Sequence, residues 1–194
     1  MAISLYTVSE ASRVEHVEKQ SRFIAHIVPI DHFEGLLAEL RINHPKASHH
    51  VTAFRVIADD NRINESAKDD GEPAGTSGMP VLKTLIGSNL VNTGMIVTRY
   101  FGGTKLGTGG LARAYAAASK LAISQANLVE WERIATAEYQ TDFASSSRIE
   151  NLVDKLGLSI TDRQFDEVGV RLLVEGAETA LEKLNAEFPT QPKP

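Results

Sequence analysis

Glycine is concentrated in one short stretch of this chain: five of the nine residues from Gly102 to Gly110 are glycine. The residues before it, GMIVTRYF (94–101), predict a central strand, and the alanine-rich segment from Thr108 to about Ser124 predicts a long helix. Glycine allows tight turns and close approach of other groups to the backbone. The sequence therefore predicts a strand–loop–helix unit around this glycine loop.

Charge is distributed unevenly along the chain. No acidic residue occurs between Pro73 and Val129, although the whole chain has a formal charge of −5. The excess of negative charge lies in residues 131–194, which hold 7 basic and 12 acidic side chains. Because phosphate neutralisation dominates binding to nucleic acid, any site for a polyanion is expected in the first two thirds of the chain. The basic residues of the acid-free segment are Lys83, Arg99, Lys105, Arg113 and Lys120.

The glycine loop and the helix after it form the predicted anion site. Unpaired N–H groups at a helix N-terminus, together with the helix dipole, favour a phosphate or a carboxylate. Lys83 and Lys120 would widen the basic surface. A tight turn under a closely packed helix also accounts for the glycines, and this alternative stays open. The residues assigned to the site are Arg99, Gly102, Gly103, Lys105, Gly107, Gly109, Gly110 and Arg113.

A second unusual string, DDGEPAGTSGMP, covers residues 69–80. We predict that its carboxylates, Asp69, Asp70 and Glu72, position this loop, because Asp-Gly turns are common in solvated loops. The alternative is that they act as acid–base groups or metal ligands together with His49 or His50. These two histidines are adjacent on a predicted strand and face opposite sides, so they cannot bind one metal together. We therefore assign no catalytic residue and no metal site.

Several functional classes are disfavoured by motifs that the sequence does not contain. The glycine loop lacks the Walker G-K-[ST] ending and the Rossmann spacing, which argues against a nucleoside triphosphatase or a dinucleotide enzyme. With no cysteine, the chain has no disulfide, thiolate nucleophile or cysteine-ligated metal. We find neither a signal peptide nor an apolar run of the roughly 18 residues that span a bilayer. The expectation is a cytoplasmic protein with no cofactor and no membrane partner.

The pattern of strands and helices predicts two α+β domains, covering residues 1–127 and 128–194. In the first, Asp31 is expected to cap a helix that ends near Asn43, and residues 59–78 are expected to form a polar loop. The second has the order β-α-β-β-α, typical of a ferredoxin-like sandwich without its last strand. Its tail, PTQPKP, is not expected to pair inside a sheet, because three prolines remove ladder donors.

Four segments together resemble the signature of the IMPACT family: DDGEPAGTSGMP, RYFGGTKLGTGGLARAY, His49-His50 before TAFRV, and KQSRFIAHI. The resemblance covers roughly residues 5–125, and more weakly 131–187. It implies a first domain like domain two of ribosomal protein S-five, with a four-stranded sheet backed by two helices, and a ferredoxin-like second domain. Both folds recur in proteins that touch RNA and the ribosome. The family's eukaryotic members regulate translation through an added N-terminal domain that binds a kinase activator, and we do not expect that partner for this chain.

Three functions follow from these observations as hypotheses. The preferred one is a non-enzymatic regulator of translation that binds RNA or a ribosomal surface and holds phosphate at the glycine-rich helix N-terminus. The second is an enzyme acting on a small phosphorylated substrate, such as a metal-dependent hydrolase, with the Asp69–Glu72 loop supplying the chemistry. The third is a module that binds a protein partner through its acidic C-terminal domain.

Overall fold

The computed structural model describes residues 4–189 and divides the chain into two compact units, Met1–Trp131 and Glu132–Pro194. Residues 128–131 belong to the first unit, because β7 (Leu128–Glu130) pairs with β1 (Tyr6–Val8). Both units combine antiparallel sheets with helices, so the predicted α+β class is confirmed. The proline-containing tail lies, from Thr190 onward, outside the described residues.

The first unit is built on a five-stranded antiparallel sheet in the order β2-β3-β6-β4-β5, and not on the four strands that the resemblance implies, because the polar edge strand β5 also pairs with β4. The central strand of the sheet, β6, is buried along almost its whole length, and its middle residues Met95, Ile96 and Val97 are apolar on both faces. The strands are β2 (Ser12–Glu18), β3 (Ser21–Pro29), β4 (His49–Ile57), β5 (Ile63–Lys68) and β6 (Thr93–Tyr100).

Helices cover both faces of this sheet. The helices α2 (Gly78–Gly87) and α3 (Gly107–Gln125) pack on one face, where Phe23, Met95 and Tyr115 belong to the main core. The helix α1 (Ile30–Asn43) packs on the other face over a smaller core that includes Ile96. The two expected helices behind the sheet are therefore α2 and α3, and α1 adds a third element on the opposite side.

Two local predictions for the first unit differ from the structure. The polar segment 59–78 contains the edge strand β5. Most side chains of β5 are exposed, so its sequence, INESAK, lacks the alternation of apolar and polar residues that predicts a strand. Its backbone pairs with β4, so main-chain hydrogen bonding rather than burial forms this strand. Asp31 lies in the first turn of α1, which begins at Ile30 without a side-chain cap.

The second unit has a three-stranded antiparallel sheet in the order β8-β10-β9, with two helices on one face. This is the strand order of a ferredoxin-like sandwich without its fourth strand. Along β8 the exposed and covered side chains alternate, so one face of the sheet contacts the helices and the other is open. The elements are β8 (Ile134–Thr141), α4 (Ser146–Lys155), β9 (Ser159–Phe165), β10 (Val170–Ala177) and α5 (Glu178–Glu187).

Candidate nucleic-acid interface

The loop from Asp69 to Gly78 is organised by the carboxylate of Asp69. This carboxylate accepts hydrogen bonds from the N–H of Gly75 at 2.8 Å, from the N–H and hydroxyl of Ser77 at 3.1 and 2.6 Å, and from the N–H of Gly78 at 2.8 Å. Burial alone would raise the pKa of Asp69, but these hydrogen bonds lower it below its ordinary value. Asp69 therefore supplies the capping acceptor that Ser77, at the start of α2, does not provide.

Asp70 attaches the same loop to the start of β4. One of its carboxylate oxygens accepts the backbone N–H of His50 at 2.6 Å, and the other lies 3.5 Å from Arg41. The carbonyl oxygen of Asp70 is 2.8 Å from Nδ1 of His49. Because a carbonyl only accepts, Nδ1 of His49 carries the proton in this contact.

Glu72 is the centre of a buried polar cluster. Its Oε1 accepts a hydrogen bond from Arg99 at 2.6 Å and another from the hydroxyl of Tyr115 at 2.8 Å, and Nε2 of His49 lies 3.8 Å away. The side chain of Glu72 is 3% exposed and that of Arg99 is 6% exposed. Burial, followed by the Glu72 charge, raises the pKa of Tyr115 far above its ordinary value. We call these four side chains, those of His49, Glu72, Arg99 and Tyr115, the Glu72 cluster.

Burial of Arg99 changes the predicted anion site. Its guanidinium stacks between the rings of Phe23 and Phe101, at 5.5 and 5.6 Å, and its charge is balanced by Glu72. A phosphate at the surface would have to compete with a carboxylate that is already in contact. Arg99 therefore lies outside the exposed part of the site, and it joins β6 to the loop and to α3.

Different structural constraints apply to the individual glycine positions of the loop. A Cβ at Gly102 would clash with the carbonyl oxygen of Gln20, and one at Gly103 would lie 2.6 Å from the carbonyl oxygen of Lys19, so close packing requires both. Gly107 has a φ of +70°, which favours glycine. By contrast, a Cβ at Gly109 would meet no backbone and only the flexible end of Arg113, at 3.4 Å. The alternative of a tight turn under a closely packed helix accounts for Gly102 and Gly103 by packing and for Gly107 by its turn conformation, but it does not account for Gly109.

The remaining basic side chains of the acid-free segment are exposed: Lys83, Lys105, Arg113 and Lys120. Lys83 on α2 and Lys120 on α3 border a groove of about 610 Å³ between these helices, lined mainly by small residues such as Ala112 and Ala116. Neither helix contains an acidic residue. We call this surface the α2–α3 groove.

Arg113 lies on the opposite flank of α3. It lines a cavity of about 260 Å³ between α3 and β2, together with Lys19 and with Glu18, which places one carboxylate beside it. Lys105 is exposed in the loop that precedes α3. The helix start itself has no side-chain cap, and Gly107, Thr108 and Gly109 are exposed there.

Sequence reasoning missed two participants in this region. Tyr115 was not recognised as a partner of Glu72, although its position eight residues into an alanine-rich helix marks it as an unusual large side chain. The small-residue groove was also missed, because it needs both helices to be placed side by side. Its only sequence signal is the combination of Ala112 and Ala116 on α3 with Pro80 and Gly87 on α2.

Within residues 4–189, no three histidine or acidic side chains converge in a way that would hold a metal ion. The three carboxylates of the loop all contact groups of the protein itself. None of the helices in this described range is long and apolar enough to cross a membrane.

Comparison with known proteins places the chain in a family. Residues 19–123 match the family model described as the Impact N-terminal domain. The chain is 34% identical to the IMPACT family member YvyE of Bacillus subtilis over 183 residues, covering 92% of this chain and 83% of YvyE. It is also 34% identical to the IMPACT family member YigZ of Escherichia coli over 173 residues, covering 86% of this chain and 83% of YigZ. The chain belongs to the IMPACT family, which confirms the resemblance seen in the sequence.

A solved structure supports the fold of both units. A crystal structure described as that of a hypothetical protein is similar with a TM-score of 0.64 at 28% identity, over 96% of this chain and 92% of that chain. The similarity thus extends beyond the residues matched by the family model and includes the second, ferredoxin-like unit.

Proposed function

We propose that this protein binds RNA through the surface formed by α2 and α3 and that it regulates translation by doing so. The observation that carries the proposal is the α2–α3 groove, in which two neighbouring helices without any carboxylate present Lys83 and Lys120 on opposite sides of a floor of small residues. Lysine side chains on both rims attract the phosphates of a strand, and a floor of alanine and glycine lets the strand come close to the helices.

The start of α3 extends this surface toward the glycine loop. Its exposed backbone N–H groups and the positive end of the helix dipole favour a phosphate at Gly107–Gly109. Lys105 and Arg113 add two exposed cations near this end of the helix. Gly109, which packing does not require, is explained if the backbone must be approached closely by a ligand. The proposed contacts are thus Lys83, Lys105, Arg113, Lys120 and the N-terminal amides of α3.

Family membership supports the connection with translation. The resemblance to the IMPACT family implies a role in translational regulation, and RNA is the polyanion that such a role would bring to this surface. The net charge of −5 arises in residues 131–194, which hold 7 basic and 12 acidic side chains, whereas residues 1–130 hold 13 of each, so repulsion of a polyanion is expected mainly from the second unit. Binding is therefore proposed to be local to the first unit.

The test is RNA affinity as a function of salt. We expect a labelled single-stranded RNA of about 20 nucleotides to bind with a log affinity that falls linearly with log salt, by roughly 0.7 per phosphate contact. Replacing Lys83, Arg113 or Lys120 by Ala should each weaken binding by about three- to tenfold, similarly for all RNA sequences, and reduce the slope by roughly 0.7.

Matched controls come from the second unit. Lys155 and Lys183 are exposed lysines on α4 and α5, and their replacement by Ala should leave the affinity and the salt slope unchanged. A protein without measurable RNA affinity at low salt, or one whose affinity responds equally to Lys83→Ala and Lys155→Ala, would rule out the proposed surface. Addition of the wild-type protein, but not of the Lys83→Ala/Lys120→Ala variant, should change the rate of translation in a reconstituted system.

An enzyme for a small phosphorylated substrate is the second candidate, and one contact favours it. His49 is partly exposed, its Nδ1 is held by the Asp70 carbonyl, and its Nε2 lies 3.8 Å from Glu72, so a histidine and a carboxylate are neighbours at the loop and would have to approach by about 1 Å for proton transfer. A screen of phosphate esters, with and without divalent ions, tests this candidate. Turnover by the wild type that His49→Gln abolishes while the fold stays intact would replace RNA binding as the primary function.

A further inference from the structure

The second unit has an unprotected sheet edge along β8. In residues 4–189, β8 pairs with β10 alone, and the pairing runs without interruption from Ile134 to Thr141. The opposite edge of β8 is the place where a complete ferredoxin-like sandwich has its fourth strand. Its outward N–H and C=O groups are therefore available to a further strand.

Among the edge strands of the three- and five-stranded sheets, β8 differs from the others. Edge strands usually avoid further pairing through charged side chains, bulges or prolines. The edge strand β9 has a register shift opposite Leu173 and Val174 and two charged side chains. The edge strands β2 and β5 of the first unit carry three and two charged side chains. By contrast, β8, with the sequence IATAEYQT, has a single charged residue, Glu138, and neither a bulge nor a proline.

We propose that β8 accepts an extended segment of a partner protein, which adds a fourth strand to the sheet of the second unit. The main chain of the segment would hydrogen-bond to β8 over about six to eight residues, as in other complexes formed by strand addition. All residues of the proposed edge lie in the second unit, whereas the residues of the proposed RNA surface lie in the first.

The side chains of β8 define what the partner segment looks like. On the helix side, Ala135 and Ala137 are small and only partly covered, which leaves room for aliphatic side chains of the incoming strand beside Tyr139. On the open side, Thr136 and Glu138 are exposed and polar. The segment should therefore alternate apolar residues with polar or basic residues.

The negative charge of the second unit favours a basic partner segment over a second copy of this chain. Residues 131–194 hold 7 basic and 12 acidic side chains, so two such units would repel each other when their β8 edges approached. A segment that contains lysine or arginine is attracted by the same charges. RNA cannot supply the alternating main-chain donors and acceptors that the edge requires.

The test uses the full chain and a labelled synthetic peptide of about ten residues, in which valine alternates with lysine and threonine. Binding is followed by fluorescence anisotropy and by the protection of β8 amides from hydrogen exchange. We expect the peptide to protect β8 but not β9, and a version with glutamate in place of lysine to bind at least about tenfold more weakly.

Two N-methylated peptides separate strand addition from unspecific attraction. One carries methyl groups on its odd residues and the other on its even residues, so the two have the same charge and composition. Only one edge of an added strand faces β8, and we therefore expect one peptide to lose at least about tenfold in affinity while the other keeps it. Equal affinities of the two peptides would overturn the proposal.

A matched pair of protein variants tests the edge itself. Ala137→Lys places a charge on the helix side, where an added strand would bury it, whereas Thr136→Lys places the same charge on the open side. We expect peptide binding to fall by at least about tenfold in the first variant and by less than about threefold in the second. If Ala137→Lys does not fold, the N-methylated pair decides alone. Protection away from β8, or a wild-type dimer that Ala137→Lys dissociates, contradicts the proposal.

Discussion

The Glu72 cluster allows a quantitative prediction about stability. Replacing Glu72 by Leu removes the carboxylate that contacts Arg99 at 2.6 Å and accepts the hydroxyl of Tyr115 at 2.8 Å. The guanidinium of Arg99 then stays buried without a counter-charge, which costs about 3–5 kcal/mol of unfolding free energy. Arg99→Met leaves the Glu72 carboxylate buried with only the tyrosine hydroxyl as donor, and the expected cost is of the same order, about 3–5 kcal/mol.

The double variant is the informative one. Glu72→Leu/Arg99→Met removes both charges together and leaves a single unpaired hydroxyl, which costs about 1–3 kcal/mol. The double variant should therefore be more stable than either single variant. The measurement is urea unfolding at neutral pH followed by circular dichroism, with hydrogen exchange of β6 and α3 amides to assign the transition to the first unit.

An exposed ion pair in the same unit is the control for the effect of burial on stability. Arg62 and Asp60 lie 3.2 Å apart, with side chains that are 82% and 55% exposed, so Asp60→Asn should change stability by less than about 1 kcal/mol. If the costs of Glu72→Leu and Arg99→Met simply add in the double variant, the two side chains are not coupled. The reasoning from burial and contact distance would then be refuted.

Two further predictions follow from the first unit. Burial, followed by the charges of Arg13 and His44, lowers the pKa of His26 to about 4; since unfolding restores a value near 6.5, stability should fall by up to about 3 kcal/mol between pH 6.5 and 4. His26→Phe should flatten this loss in urea titrations at several pH values, whereas a change at the exposed His32 should not. Gly109→Ala should raise the melting temperature through a gain of about 0.5–1 kcal/mol, because its Cβ is free of backbone contact. Gly102→Ala should cost about 3 kcal/mol or more through its clash with the Gln20 carbonyl, and equal effects at the two glycines would contradict the packing argument.

The sequence was sufficient for features that depend on local pattern. The run GMIVTRYF is apolar enough to identify the buried central strand β6, and the alanine-rich segment identifies α3. The order of elements in residues 131–194 was enough to predict a ferredoxin-like unit, and the strand order of the structure agrees with it. The strand β5 could not be predicted in this way, because its exposed side chains carry no period and only its backbone pairs with β4.

For the candidate site, too, the sequence was sufficient for local features but not for contacts between distant residues. The uneven charge distribution led to the expectation of a polyanion site in the first two thirds of the chain, but it could not show the direction of individual side chains. Arg99 and Lys105 lie in the same basic segment, and one is buried against Glu72 while the other is exposed. That difference depends on a contact between residues 27 positions apart, which no local pattern encodes. The distinct reasons for Gly102 and Gly109 likewise depend on the position of the β2–β3 turn.

The small sheet formed by β1 and β7 has a consequence for how this protein is made. Tyr6 is paired with Glu130, and the N–H of Trp131 donates to the carbonyl of Leu5 at 2.8 Å. The last ladder of the first unit therefore joins its two ends, and it cannot form until synthesis has delivered residue 131 beyond the ribosomal exit tunnel. Contacts over such a long separation in sequence form slowly. A nascent chain that stalls before this point leaves β1 without β7, and β1 is then held by the bridge between Tyr6 and Leu90.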